Sequence, residues 1–366
     1  MKIFCKDSEG NIRYLDITCN SKGELIRVHG LVGTENPVED IKQCKGKNLG
    51  KKNETTPAIQ ALKEMEAIIE VKLREGYFEK MADAINKEVI LPMLAKDYKK
   101  ESKKIDWNGQ VYVQRKYDGM RCLAFIVDGT VKLMSRDNVE ITTMNHIVKE
   151  IEALKLDDII LDGELFMEEN FQANMKAIKS YKEGISEKIE YHIYDIVSEK
   201  LFTERTKLIK ELIPSKAKHL KIVSTYKIKS EQTLRDYHKK FIEEGFEGSM
   251  LRIDQPYKVN ARSSGLLKYK DFKDIALEII DIVPCDVKTS WGKPVFELNG
   301  KRFESGMKYS HAEREEFLVN KSNYIGKVAE VRFFEYSDNG IPRFPVMYGI
   351  RIDKTKSDKI KTKELC

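Results

Sequence analysis

At 366 residues the chain suits two or three domains, each large enough to bury its own core. Hydrophobic residues make up 41% and charged residues 34%, and no apolar run approaches the ~18 residues of a membrane span, so a helical membrane protein is excluded. The net charge of +6 is mild, the start MKIFCKDSEG is charged where a secretory signal is apolar, and the six cysteines form no C-x-x-C pair. These features point to reduced thiols in a cytoplasmic protein with no signal peptide, and to neither a zinc ribbon nor a disulfide framework.

Short apolar runs at 2–5, 12–18 and 24–32, divided by Glu9-Gly10-Asn11 and Lys22-Gly23, predict small antiparallel strands. Between Lys42 and Lys52 stand five lysines and no acid, with Gly46 and Gly50 among them. The run GKNLGKKN is no phosphate loop, because its glycines are too close together and no Ser or Thr follows the lysine. It reads as a solvated loop or, given what lies downstream, as a nucleic-acid backbone contact through Lys45, Lys47, Lys51 and Lys52. Thr56 and Pro57 then open a helix whose Ile59, Leu62, Met65, Ile69 and Leu73 form a core-facing stripe.

From Leu91 the segments lengthen. Strands are predicted at 111–114, 122–127, 131–135, 159–161 and 191–196. One helix follows Thr143 to about Leu156, and another runs from Ser230 to about Glu244, where Gly245 ends it in the left-handed conformation. This is an α/β or α+β pattern. Beyond Phe272, strand signals return at 276–283, 294–298 and 328–336, and Ser310 with Glu313 makes a capping box. A small β-barrel with one helix, such as an OB-fold, accommodates this part.

Five short segments carry the chemistry: Lys116-Tyr117-Asp118-Gly119-Met120-Arg121, Leu161-Asp162-Gly163-Glu164-Leu165, Tyr194-Asp195-Ile196-Val197, Glu247-Gly248-Ser249-Met250-Leu251-Arg252 and Leu267-Lys268-Tyr269-Lys270. In content and order they resemble the motif series of the covalent nucleotidyltransferases, the superfamily of ATP-dependent DNA ligases, RNA ligases and mRNA capping enzymes. Pro92-Met93-Leu94-Ala95 looks like the start of a ligase adenylation domain. The likeness covers about Leu91 to Lys354 and leaves out the first ninety residues. It implies an ATP-grasp-like nucleotidyltransferase adenylation domain (91–273) and an OB-fold β-barrel (274–366); with the small basic β-rich N-terminal domain with a helix that the residues themselves predict (1–90, a candidate for DNA binding), the whole is an α+β multidomain fold. Also implied are ATP, Mg²⁺ (or Mn²⁺), nicked duplex DNA as partner, no membrane, and a monomer. The chain resembles compact viral and phage DNA ligases, which would place it in a host cytoplasm, in DNA replication, repair and recombination.

Moving AMP from ATP to a DNA 5′-phosphate needs a nucleophile that leaves again, and a lysine amine gives a phosphoramidate whose nitrogen can be protonated and expelled. Lys116 is that nucleophile by the resemblance, with Arg121, Lys268, Lys270 and a metal ion as the cationic field around it. Asp118-Gly119 reads as a tight turn that brings backbone close to a ligand. The resemblance further implies that Glu164 reaches the ribose and, with Glu247, holds the metal near the α-phosphate. Asp162 is read as structural. Tyr194 would stack on adenine with Met250 on the other face, and Gln114 would join the ATP contacts. Lys268 and Lys270, alternating along a strand, would present both ammoniums to the α-phosphate. Arg252 would orient a phosphate or the metal-binding glutamate, while Ser135 and Arg136 would touch the ribose and the 5′-phosphate. Arg343, Arg351 and Lys354, in GIPRFP and RIDK, resemble the closing motif over ATP.

An RNA ligase or a capping guanylyltransferase would share the lysine chemistry, but the Pro-Met-Leu-Ala start and the Arg-Phe-Pro tail favour a DNA ligase. Intact Lys116, Glu164, Glu247, Lys268 and Lys270 argue against an inactive binding module, and the lack of a four-cysteine zinc module argues against an NAD-dependent ligase.

Overall fold

The structure, a computed structural model, describes residues 1–7, 9–286, 288–337 and 339–358. It divides into two units, Met1–Tyr269 and Lys270–Cys366. Among the described residues no helix is long and apolar enough to cross a membrane.

The first unit begins with the antiparallel meander β1 (Lys2–Lys6), β2 (Ile12–Cys19), β3 (Glu24–Leu31) and β4 (Val38–Gln43), followed by α1 (Pro57–Arg74) and α2 (Met81–Asn86). β4 escapes sequence reading because VEDIKQ is largely charged, as suits an exposed edge strand. At the β2–β3 turn Gly23 has φ +82°, and a Cβ there would lie 2.7 Å from the Pro57 side chain, so α1 starts against the turn itself. Thr56 caps α1 by accepting the Ile59 amide hydrogen at 3.3 Å. The expected stripe holds only in its second half. Ile59 and Leu62 are 47% and 42% exposed, while Gln60, Ala61 and Ile69 are buried and Met65 and Leu73 pack on the same core. The helix is turned so that small Ala61 faces the sheet and the Gln60 amide is satisfied by Thr55 and Glu64.

The body of this unit comprises β5 (Leu94–Asp97), α3 (Tyr98–Glu101), β6 (Val111–Lys116), β7 (Met120–Val127), β8 (Thr130–Ser135), α4 (Asn145–Glu152), β9 (Ile159–Phe166) and α5 (Phe171–Lys179). It continues through β10 (Glu190–Ile196), α6 (Phe202–Leu212), β11 (Leu220–Ile222), β12 (Tyr226–Ile228), α7 (Glu231–Glu243), β13 (Gly248–Ile253) and β14 (Arg262–Tyr269). These strands form two five-stranded sheets, in the orders β11-β10-β9-β7-β8 and β12-β6-β13-β14-β5. The first covers a core of Ile147, Ile151, Leu161, Tyr191 and Ile209, and the second a core of Val113, Leu234, Phe241 and Leu251. Ser230 and Gly245 bound α7 as expected, with Ser230 accepting the Thr233 amide hydrogen at 3.1 Å and Gly245 at φ +89°. α4 differs: it runs only from Asn145 to Glu152, and the Thr143 hydroxyl donates to the Ile178 carbonyl at the end of α5 instead of capping it.

The second unit contains β15 (Lys273–Pro284), β16 (Gly292–Leu298), β17 (Lys301–Glu304), β18 (Gly306–Met307), α8 (His311–Val319), β19 (Val328–Phe333) and β20 (Val346–Ile350). Its sheet order is β17-β16-β15-β19-β20-β18. A register shift between Ile279 and Asp281 lets the one long strand β15 pair with β19 along its first half and β16 along its second. Burial alternates along β19: Ala329, Val331 and Phe333 are buried with Phe296 and Phe317, between half-exposed Glu330 and Arg332. Ser310 and Glu313 form the expected capping box on α8.

Candidate active site

β6 belongs to one sheet of the body and β7 to the other, so Tyr117-Asp118-Gly119 is the link that carries the chain between them, immediately after Lys116. Glycine is obligatory in that link, because a Cβ on Gly119 would lie 2.2 Å from the Leu165 carbonyl oxygen. β13 pairs with β6 so that Gly248 stands opposite Lys116. Glu247 therefore falls beside the lysine: its amide donates to the Lys116 carbonyl at 3.0 Å, and its carboxylate pairs with the Lys116 ammonium. In the other sheet, β9 sets Glu164 opposite Arg121. Burial pushes the Glu164 carboxyl up to about 7; the pull of Lys116 and Arg121 opposes this, and the negative charges of Glu247 and Asp162 add to it. The Tyr194 hydroxyl donates to Glu164 at 3.3 Å.

Two buried polar networks hold this arrangement from behind. Asp195, on β10, accepts from Arg205 of α6 at 2.6 and 3.2 Å and from Arg252 of β13 at 2.8 Å. Arg252 in turn donates to the Gln114 side chain at 2.9 Å, and Gln114 donates to Thr225 at 2.9 Å. Asp195, Arg205, Gln114 and Arg252 are all at most 2% exposed, so the network ties both sheets together with its charges paired. In the second network Asp162 receives Arg121 at 2.9 and 2.5 Å and the Tyr257 hydroxyl at 2.8 Å, and Tyr257 accepts the Met93 amide hydrogen at 2.9 Å. A third feature flanks the lysine. Tyr117 packs on His192, ring centroids 4.5 Å apart, with Phe166 and Phe246 around it, and burial pulls His192 down to about 4.

A cleft of about 630 Å³ opens at the end of the link, lined among others by Gly119, Arg121, Ser135, Arg136, Glu164 and Lys179. Ser135 turns the chain there by accepting the Val139 amide hydrogen at 3.1 Å, and Arg136 is exposed on the turn.

Residues 92–270 match the family model of the ATP dependent DNA ligase domain, and 287–351 match that of the DNA ligase OB-like domain, together well over half of the chain. The chain belongs to the ATP-dependent DNA ligases. Its relatives include the DNA ligase of African swine fever virus, 29% identical over 81% of this chain and 76% of the viral one. The DNA ligase of phage T4 is 23% identical over 73% of this chain and 69% of its own. Among solved structures, Pmar-Lig matches with a TM-score of 0.64 at 24% identity, over 72% of this chain and 68% of that one. A Lig E DNA ligase matches at 0.60 and 23%, over 72% of this chain and all of its own. At such identities the solved structures establish the fold.

In the ligase, the structure thus brings Lys116, Glu164, Glu247 and Tyr194 to one place and sets Ser135 and Arg136 on the cleft nearby. Some expected contacts are corrected, and other expected site residues have partners of their own in the structure. Gln114 and Arg252, read as nucleotide and phosphate contacts, are buried with their side chains joined to each other and to Thr225 and Asp195, so they position the strands instead. Arg121 reaches the cleft wall, but its guanidinium is neutralised by Asp162 and does not add an open charge near the lysine. Tyr194 carries the guanidinium groups of Arg121 and Arg252 over its ring, at 5.6 and 5.2 Å. Met250 is half-buried against Met93, Tyr257 and Leu266. Lys268 and Lys270 do not alternate on one strand: β14 ends at Tyr269, and the Lys270 ammonium, already in the second unit, lies 4.2 Å from the Phe334 ring centre. Within that unit Arg343 pairs with Glu335, Arg351 with Asp353 at 2.5 Å, and Lys354 with Asp358 at 2.5 Å. Lys45, Lys47, Lys51 and Lys52 are exposed in the N-terminal module, away from the cleft lining, with Lys47 3.5 Å from Glu64.

Sequence reading missed Asp195 and Arg205 as the anchors of the site, and Tyr257 and His192. Asp195 lay inside a quoted motif, and its acidic side chain between apolar strand residues was the signal that it must be paired.

Proposed function

We propose that the protein seals nicks in duplex DNA through an adenylate carried on Lys116, with ATP bound beside the link between the two sheets. The observation that carries this reading is the meeting of Lys116 with Glu247 and Glu164 at that link, inside an ATP-dependent DNA ligase domain. The Lys116 amine attacks the α-phosphorus of ATP; a P–N bond forms, the Pα–O bond to the β-phosphate breaks, and pyrophosphate leaves. The 5′-phosphate of the nick then takes the AMP from the lysine nitrogen, and the 3′-hydroxyl displaces AMP to close the strand. Tyr194 and Met250 bound the purine side, and Ser135 and Arg136 receive the ribose and the 5′-phosphate. Arg343, Arg351 and Lys354 act on the pyrophosphate when the OB domain closes, and the lysines at 45, 47, 51 and 52 add backbone contacts to the duplex.

The Glu164 and Glu247 carboxylates fit Mg²⁺ or Mn²⁺: two hard oxygen donors stand near each other there, and burial holds Glu164 near neutrality, a penalty on its charged form that a dication would offset. Such an ion supplies charge stabilisation on the α-phosphate oxygens. The protein itself keeps both carboxylates in place through Tyr194 and through the pairing of β6 with β13. A monomer working in the cytoplasm completes the reading.

Incubation with α-labelled ATP tests the first step, with GTP as the control, followed by sealing of nicked DNA against nicked RNA. Label from ATP and closure of nicked DNA are expected. Label from GTP alone would replace the reading with a capping reaction.

A further inference from the structure

The N-terminal module lies outside the ligase domain match, which begins at residue 92, yet it forms one unit with the body. Its contact with the body falls on a functional loop. The turn after β8 is folded by Ser135, whose carbonyl accepts the Asn138 amide hydrogen at 3.0 Å, with Asn138 at φ +56°. The Asn138 side chain then donates to the carbonyl of Arg74, the last residue of α1, at 3.2 Å. The loop that carries Ser135 and Arg136 is therefore pinned to the N-terminal helix.

A second groove, of about 590 Å³, lies along this seam. Val71, Arg74 and Glu75 of the N-terminal module form one wall, Leu91, Pro92, Leu94 and Asn260 belong to the body, and Arg136, Asp137 and Val139 line both this groove and the cleft beside Glu164. The two depressions therefore meet at the Arg136 loop. The groove has an apolar floor flanked by two arginines, which is the chemistry of a sugar-phosphate strand: deoxyribose packs on Val71, Leu91 and Val139, and phosphate takes guanidinium.

Arg74 is the unusual residue on this wall. Its Nε is shielded from solvent and has no hydrogen-bond partner among the described residues, and its terminal nitrogen is 3.7 Å from Glu70, beyond hydrogen-bond range. The side chain is nevertheless 33% exposed, so the rest of its guanidinium is open to the groove, and the planar fork of arginine suits a phosphate. Of the two acids in the lining, Glu75 is tied to Lys72 at 2.6 Å, which leaves Asp137 against the two arginines.

We propose that the seam groove holds the 5′-phosphorylated strand as it leaves the nick, with Arg74 gripping one of its backbone phosphates beyond the one at Arg136. This rests on the reading of Arg136 as the 5′-phosphate contact. The N-terminal module then acts on the nick-bound steps by extending the strand path.

The test measures binding of the full chain to nicked duplex across a salt series, for the parent, Arg74→Ala and Arg74→Lys, with thermal melting to follow the fold. Arg74→Ala is expected to weaken binding by about 5- to 10-fold and to lower the slope of log affinity against log salt by about 0.9, the share of one phosphate. Arg74→Lys, which keeps the charge without the fork, is expected to regain part of the affinity. Uncharged methylphosphonates placed one at a time in the 5′-phosphorylated strand should reveal a linkage that weakens the parent but not Arg74→Ala. Equal affinity and slope in parent and Arg74→Ala overturn the proposal, as does a loss in Arg74→Ala that no methylphosphonate position cancels. A parent that neither binds nor seals the nick would instead bring down the proposed function itself.

Discussion

Glu64 in the N-terminal module and Glu164 in the body are the same side chain facing lysines, and their environments drive them in opposite directions. Burial raises Glu64, but hydrogen bonds from Lys42 and Gln60, both at 2.9 Å, and the nearby Lys47 outweigh it and bring the carboxyl to about 2. Glu164 also faces two cations, Lys116 and Arg121, yet burial and the crowding of Glu247 and Asp162 hold it at about 7. Cations supplied in excess fix a charge and make a structural joint. Deeper burial, with Lys116 paired to Glu247 and Arg121 to Asp162 instead of donating to it, leaves the Glu164 carboxyl poised near neutrality, as suits a working site.

The most drastic way to break this contrast is to delete the proposed nucleophile. Lys116→Ala should abolish transfer of labelled adenylate to the protein, a loss of at least about 10³-fold given that covalent catalysis has no substitute group here. A variant that labels at the parent's rate would remove Lys116 from the mechanism. The next largest effect concerns the frame. Asp195→Ala strands the Arg205 and Arg252 guanidiniums, 1% and 2% exposed, and should destabilise the protein by about 3–5 kcal/mol in urea unfolding. A cost below 1 kcal/mol would mean that the network is not what holds the two sheets in register.

These two residues also mark how far the sequence could be read. That Lys116 stands with Glu164 and Glu247 was legible through the resemblance of their segments to a known motif series, and the glycine at 119 is forced by backbone contact. Arg205 was not: in the helix segment FTERTKLIKEL it looks like any solvated arginine, and only the crossing of α6 against β10 reveals its partner. Gln114 and Arg252 were misassigned for the converse reason, since a polar side chain inside a motif suggests a ligand while burial and partners are set by the third dimension. The apolar runs of β2, β7 and β19 were plain, whereas β4 was hidden by its exposed charged residues and the opening face of α1 by the burial of Gln60.

Glu164→Gln sharpens the comparison through pH. A carboxyl raised to about 7 in the folded protein, against an ordinary value of 4.5, binds more protons folded than unfolded between those two values, so the parent loses stability as pH rises through that window. The neutral variant escapes this. It should match the parent near pH 5 and exceed it by up to about 3 kcal/mol near pH 8, while losing adenylate transfer. Equal stability of the two proteins at pH 8 would show that Glu164 is not held above its ordinary range.

Glu64 should give the smallest effect and the opposite sign. Its depressed value means that the folded state binds fewer protons than the unfolded one between about 2 and 4.5, so its contribution is complete above 4.5 and disappears as pH falls toward 2. Because Lys42 is 38% and Lys47 63% exposed, solvent screens much of the attraction, and Glu64→Gln should cost only about 1 kcal/mol at pH 7. The loss should shrink in high salt and vanish near pH 2, where the parent carboxyl is itself protonating. Adenylate transfer should be untouched, because the joint sits between β4 and α1 and shares no partner with Lys116. A stabilised Glu64→Gln protein at pH 7 would erase the distinction between the two glutamates, since both would then be strained charges and neither a joint.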